Sequence, residues 1–90
     1  MLSATVPVIN RLGLHARAAA QLVKLASSFQ SNVTLSRRDT SASANARSIL
    51  NVLTLAAVNG TTLEIVVEGE DEEAAIAEIR ELFARGFGEE

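Results

Sequence analysis

The spacing of apolar side chains changes period repeatedly along these 90 residues, and glycines or asparagines mark most of the changes. The clearest case is Thr62-Leu63-Glu64-Ile65-Val66-Val67-Glu68, bounded by Asn59-Gly60 before it and Gly69 after it. Its β-branched content and flanking turn residues predict a strand. Directly behind it, Ala75, Ile76, Ile79, Leu82 and Phe83 recur at helical spacing, which predicts a helix through Ala84. Asp71 is the expected cap, acidic residues fill the first turn where the helix dipole favours them, and Gly86 and Gly88 end the helix. A strand that leads straight into a one-sided helix must cover its own apolar face with that helix's stripe.

The rest of the chain follows the same logic. Thr5-Val6-Pro7-Val8-Ile9 reads as a first strand, with Pro7 pointing to a sheet edge because it cannot donate to a ladder. Asn10 to Gly13 is a turn. From Ala16 to Phe29 the residues Ala19, Leu22, Val23, Leu25, Ala26 and Phe29 form an apolar stripe, while Gln21, Lys24 and Ser28 face away. Asn32 to Ser36 alternates as a half-buried strand, and Thr40 to Ala44 is a short strand paired with it across a polar turn. Ala46 to Ala57 is read as a short helix with Asn45 and Ser48 as caps. Its apolar residues span too wide an arc to be buried together, so some of Ile49, Leu50, Val52 and Leu53 should remain exposed. The expected order is β-α-β-β-α-β-α, an α+β domain over residues 1–90 with a largely antiparallel sheet and helices on one face.

Composition removes several classes of function. The net charge is −3 and aromatics are 3% of residues. A phosphate backbone calls for dense Lys and Arg, and single-stranded bases call for aromatic platforms, so no nucleic-acid partner is expected. The chain holds no cysteine, which excludes disulfides, thiolate nucleophiles and cysteine-based metal sites. No apolar run approaches a membrane span and no secretory signal is visible, so a cytoplasmic domain without membrane insertion is expected. Charge is also unevenly spread. Asp39 is the only acidic residue before Glu64, and the front part carries Arg11, Arg17, Lys24, Arg37, Arg38 and Arg47. Such asymmetry can steer an acidic protein toward the front of the molecule.

The chemistry centres on the single histidine. Gly13-Leu14-His15-Ala16-Arg17 puts an imidazole where a glycine turn opens into the first helix, with a cation two residues on. The opening amides of a helix lack internal partners and carry the positive end of its dipole, so an anion is stabilised there. A neutral imidazole is a good nucleophile near neutral pH and can accept a phosphoryl group. The amides of Ala16 and Arg17, together with the Arg17 guanidinium, would then hold the transferred oxygens. One histidine with no carboxylate close to it in sequence cannot ligate a metal, and no cofactor is expected.

Three stretches together resemble the HPr family of phosphocarrier proteins of the bacterial phosphoenolpyruvate-dependent phosphotransferase system. They are Gly13-Leu14-His15-Ala16-Arg17, Ala46-Arg47-Ser48-Ile49-Leu50 and the Asn59-Gly60 turn. The resemblance covers essentially the whole chain. It implies an open-faced β-sandwich, a four-stranded antiparallel sheet covered by three helices. It also implies that His15 accepts phosphate on Nδ1 from Enzyme I and passes it to an EIIA-type protein, with Arg17 on the phosphoryl oxygens. Such a chain is a protein substrate in a relay, not a turnover enzyme. Ser48 matches a serine that some members use for regulatory phosphorylation by a dedicated kinase, although a plain helix cap explains it equally well. Ile49, Leu50 and Leu53 match the apolar patch that docks partners. Many members carry proline after the arginine. Here the residue is Ala18, which a first helical turn accepts equally well. Nitrogen-branch relatives called NPr share that alanine. An NPr-type regulatory carrier that reports nitrogen or carbon status without sugar transport is the alternative reading. A monomer is the plain expectation.

Overall fold

The computed structural model describes residues 1–89. Strand β1 (Leu2–Pro7) is followed by helix α1 (Ala16–Ser27) and strands β2 (Asn32–Arg37) and β3 (Ser43–Asn45). Helix α2 (Ile49–Thr54), strand β4 (Thr62–Glu68) and helix α3 (Glu72–Ala84) complete the order, with a 3₁₀ turn at Gly86–Gly88. The four strands form one antiparallel sheet in the order β1-β4-β2-β3. This is the expected α+β architecture, an open-faced sandwich with three helices.

Alternation along the strands explains the layering. Leu63, Ile65 and Val67 of β4 are fully buried, as are Val33 and Leu35 of β2, while residues between them face outward. Opposite them, α1 contributes Ala18, Ala19, Leu22 and Ala26, and α3 contributes Ala75, Ile79, Leu82 and Phe83. Val23, Leu25, Phe29 and Ile76 lie at the core's margin. Small alanines on α1 let that helix sit close to its neighbours, and it packs against both α2 and α3.

Several boundaries differ from the sequence reading, each for a local reason. Strand β1 runs Leu2–Pro7 and not Thr5–Ile9, because Leu2, Ser3 and Ala4 pair with Val67, Val66 and Ile65. Pro7 does lie on an edge strand. Helix α1 stops at Ser27, two residues short of Phe29, since Ser28 and Phe29 donate to Leu25 and Ala26 in a tightened last turn. Strand β3 begins at Ser43 and not at Thr40, because Ser41 adopts φ 62° and belongs to the connecting turn.

The largest correction concerns α2, which spans six residues where Ala46 to Ala57 had been expected. At its start the Ala46 amide still donates to Val33 in the sheet, and the Asn45 side chain takes the Arg47 amide. Ser48 is therefore the cap, and its Oγ accepts from the Asn51 amide at 3.3 Å. At its end Ala56 turns to φ 51°, and the Arg37 guanidinium donates to the carbonyls of Leu55 and Ala56. Asp71 also departs from expectation. It stands at the cap position of α3 but makes no side-chain cap bond. Its carboxylate instead accepts from the amides of Gln30 and Ser31 at 2.8 and 2.9 Å and from the Ser31 hydroxyl.

Candidate functional site

The site begins with a glycine. Gly13 has φ 67°, and a Cβ there would run into the Ala57 carbonyl oxygen. Only glycine lets the loop pass this close, and the approach is fastened by the Leu14 amide donating to Ala57 at 2.8 Å. With Leu14 buried, the next residue is delivered to the first turn of α1.

His15 is the N-cap of α1, with extended backbone (φ −73°, ψ 177°). Its carbonyl accepts the first helical bond from Ala19, and its Nδ1 accepts from the Arg17 amide at 3.3 Å. A side-chain nitrogen thus takes the role that a serine or aspartate oxygen usually has at a cap. Among the described residues, the Ala16 and Ala18 amides donate to no partner. The imidazole remains 23% exposed. Nδ1 therefore points along the opening amides of a twelve-residue helix.

Arg17 is exposed and lines an open cleft of about 500 Å³ with Arg11, Gln21 and the Glu89 side chain. The cleft thus sets the two cations Arg11 and Arg17 against the single carboxylate of Glu89. Ser48 and the apolar candidates lie on α2, the helix packed beside α1. Leu50 is 74% exposed and Ile49 38%, whereas Leu53 is half-buried against the core and Val52 is fully buried.

One group at this site went unnoticed in the sequence. The carboxylate of Glu89 meets His15 Nε2, although the histidine has no carboxylate near it in the chain. The Asn10 amide donates to the same carboxylate at 3.1 Å. First the His15 ring and then Asn10 hold the Glu89 carboxyl below the ordinary glutamate range. The chain thus brings to the histidine in space a carboxylate that lies far from it in sequence. Its only foreshadowing in the sequence is the Gly86-Phe87-Gly88 run, a composition suited to a sharp reversal of the chain. Among the described residues no group of three histidine, cysteine, aspartate or glutamate side chains gathers as a metal site, and no helix is long and apolar enough to cross a membrane.

A four-stranded open sheet under three helices, with an imidazole capping the first of them, makes a small open-faced sandwich with its candidate site at one helix opening. Residues 2–85 match the family model described as "PTS HPr component phosphorylation site", and the chain belongs to this HPr family of phosphocarrier proteins. It is similar to the phosphocarrier protein HPr of Xylella fastidiosa strain Temecula1, with 47% identity over 90 residues covering 100% of this chain and 99% of the relative. It is 38% identical over 86 residues to the phosphocarrier protein NPr of Escherichia coli K12, covering 96% and 94% of the two chains. The crystal structure of HPr-C-His from Thermoanaerobacter tengcongensis superposes with a TM-score of 0.93 at 37% identity, covering 100% of this chain and 99% of that one.

Proposed function

We propose that this chain is a phosphoryl relay in the cytoplasm, in which His15 Nδ1 receives phosphate from phosphorylated Enzyme I and hands it to an EIIA-type acceptor. The observation that carries this reading is the direction of Nδ1, whose lone pair faces the Arg17 amide at the open end of α1. In loading, that lone pair attacks phosphorus while the bond to the donor breaks and its electrons leave with the donor. Once the N–P bond forms, Nδ1 no longer accepts from Arg17, and that amide is freed for a phosphoryl oxygen. The exposed Ala16 amide and the Arg17 guanidinium supply further donors, so developing charge meets groups already in place. Onward transfer runs the same step in reverse toward a different nucleophile.

The exposed apolar faces of Ile49 and Leu50, with the margin of Leu53, are the proposed docking surface. Ser48 is the proposed regulatory position, open to a serine kinase and its phosphatase. A phosphate on Ser48 would add about −1.5 to −2 of charge beside that surface and oppose an acidic partner. The carrier is read as a monomer that binds each partner briefly, because a tightly held relay would stall.

Phosphoenolpyruvate and a cognate Enzyme I should place one acid-labile phosphate on the chain. The His15→Ala variant should take none, and Arg17→Ala should load more slowly with its fold intact. Labelling retained in His15→Ala would move the site elsewhere. The similarity to NPr supports a second reading, a carrier serving a nitrogen-branch circuit without sugar transport. Transfer rates to a panel of EIIA proteins from sugar and nitrogen branches separate the two.

A further inference from the structure

The histidine at this site is held on both of its nitrogens, and the second contact comes from the far end of the chain. Gly86, Phe87 and Gly88 have φ of 59°, 58° and 76°, three consecutive residues in the left-handed region. For Phe87 that conformation is unfavourable unless the surroundings enforce it. Here they do, because the Phe87 ring is buried and meets Phe83 of α3 edge to face, with centroids 5.0 Å apart. The reversal is closed by the amides of Gly88 and Glu89, which donate to Arg85 and Gly86 at 3.1 and 3.0 Å. An aromatic anchor in the core thus aims Glu89 back over the start of α1, where its side chain is only 13% exposed.

The carboxylate arrives in a prepared seat. Asn10 is buried, and its amide nitrogen donates both to the Gly13 carbonyl at 2.7 Å and to Glu89 Oε1 at 3.1 Å. Both partners are acceptors, so the amide's orientation is fixed by its contacts. Among the described residues its own Oδ1 is buried with no partner, a cost offset by the nitrogen bridging the loop and the carboxylate. The other carboxylate oxygen, Oε2, meets His15 Nε2.

We infer that Glu89, seated by Asn10, is a positioning residue for His15: it accepts the hydrogen bond of the Nε2–H and so leaves Nδ1 bare and facing the open amides of α1. The reasoning rests on the relay reading above. A carboxylate is only an acceptor, so Nε2 carries the hydrogen, and the neutral ring then has its lone pair on Nδ1. The Arg17 amide, donating to Nδ1, demands the same tautomer from the other side. When Nδ1 bonds to phosphorus, the ring gains positive charge as the donor departs with its electron pair, and the Nε2 proton stays on the ring beside the carboxylate. The same contact covers Nε2, so phosphate is directed to one nitrogen of two.

Phosphoramidate, a small phosphoryl donor that needs no protein partner, separates this role from a purely structural one. In the unmodified protein, imidazole nitrogen shifts should show the Nε2–H tautomer, and all phosphate should appear on Nδ1. In Glu89→Ala, loading should fall by about tenfold, in line with the penalty for a misoriented reacting group. Part of the product should also move to Nε2, and the tautomers should mix. Glu89→Gln keeps an acceptor oxygen without the charge, and should retain the Nδ1 product while loading more slowly than the parent. Asn10→Ala should fall between the parent and Glu89→Ala. Wild-type rate, tautomer and product isomer in Glu89→Ala would overturn the role of Glu89 and leave the relay standing. Absence of any phosphate on His15 in the unmodified protein would overturn the relay itself.

Discussion

At the scale of single residues, the site depends on positions that admit one side chain each. Gly13 is the sharpest of these, because its φ of 67° and the carbonyl of Ala57 leave no room for a methyl group. Gly13→Ala should lower stability by at least ~1–2 kcal/mol from the backbone conformation alone, read by urea unfolding. It should also reduce phosphate uptake in the folded fraction, since His15 is only two residues downstream. His15 differs from Gly13 in kind. Its imidazole serves as the helix cap, so the proposed chemistry and the local fold share one nitrogen, and phosphorylation must remove the bond from Arg17 that now orders the first turn. Loss of a capping bond ordinarily costs about 1 kcal/mol, which donation to the phosphoryl oxygens is placed to offset.

At the scale of elements, connections between segments are made by polar side chains reaching across the chain. Asp71 ties the start of α3 to the loop between α1 and β2. The Ser31 hydroxyl, then the Gln30 amide, hold its carboxyl below the usual aspartate range. A carboxyl depressed in the folded state contributes stability that is fully present above its unfolded value and is lost as pH falls through the folded one. The unfolding midpoint in urea should therefore drop on acidification below the ordinary carboxylate range. Asp71→Asn should be less stable at neutral pH and should show a shallower acid limb. An unchanged acid limb in that variant would remove Asp71 from the account. These ties also mark the limit of what the sequence disclosed. Period-two and helical spacing report which face of an element is apolar, and they located β4, α1 and α3 well. They carry no information on where a carboxylate 40 or 74 residues away will land. Hence the sequence alone makes Asp71 a cap of its own helix and leaves Glu89 unconnected to His15. Leu2 to Ala4 were missed for another reason, since two of the three are small and belong to a strand only through pairing with β4.

At the scale of the whole molecule, burial and exposure separate folding from the proposed docking. Ile65 lies fully buried in β4, which is paired on both sides. Ile65→Ala should cost ~2–5 kcal/mol, seen as a large fall in the urea midpoint. Leu50, 74% exposed on α2, should tolerate alanine within about 0.5 kcal/mol while binding Enzyme I more weakly in titration calorimetry. Equal losses of stability in both variants would argue against a surface reserved for partners. The family fold was readable because element order and apolar period agree along most of the chain. The extent of α2 was not readable, since Ala46 and Arg47 suit a helix but are held by the sheet and the Asn45 side chain.

Sheet order has a further effect on how the molecule comes into being. Residues 2–7 pair only with residues 62–68, so a nascent chain carries its opening segment unmatched until three quarters of the polypeptide has been made. Contacts so distant along the polymer slow folding relative to local ones. Glu89 reaches His15 later still, so a truncated or stalled product can complete its sheet and yet leave the imidazole without its guide.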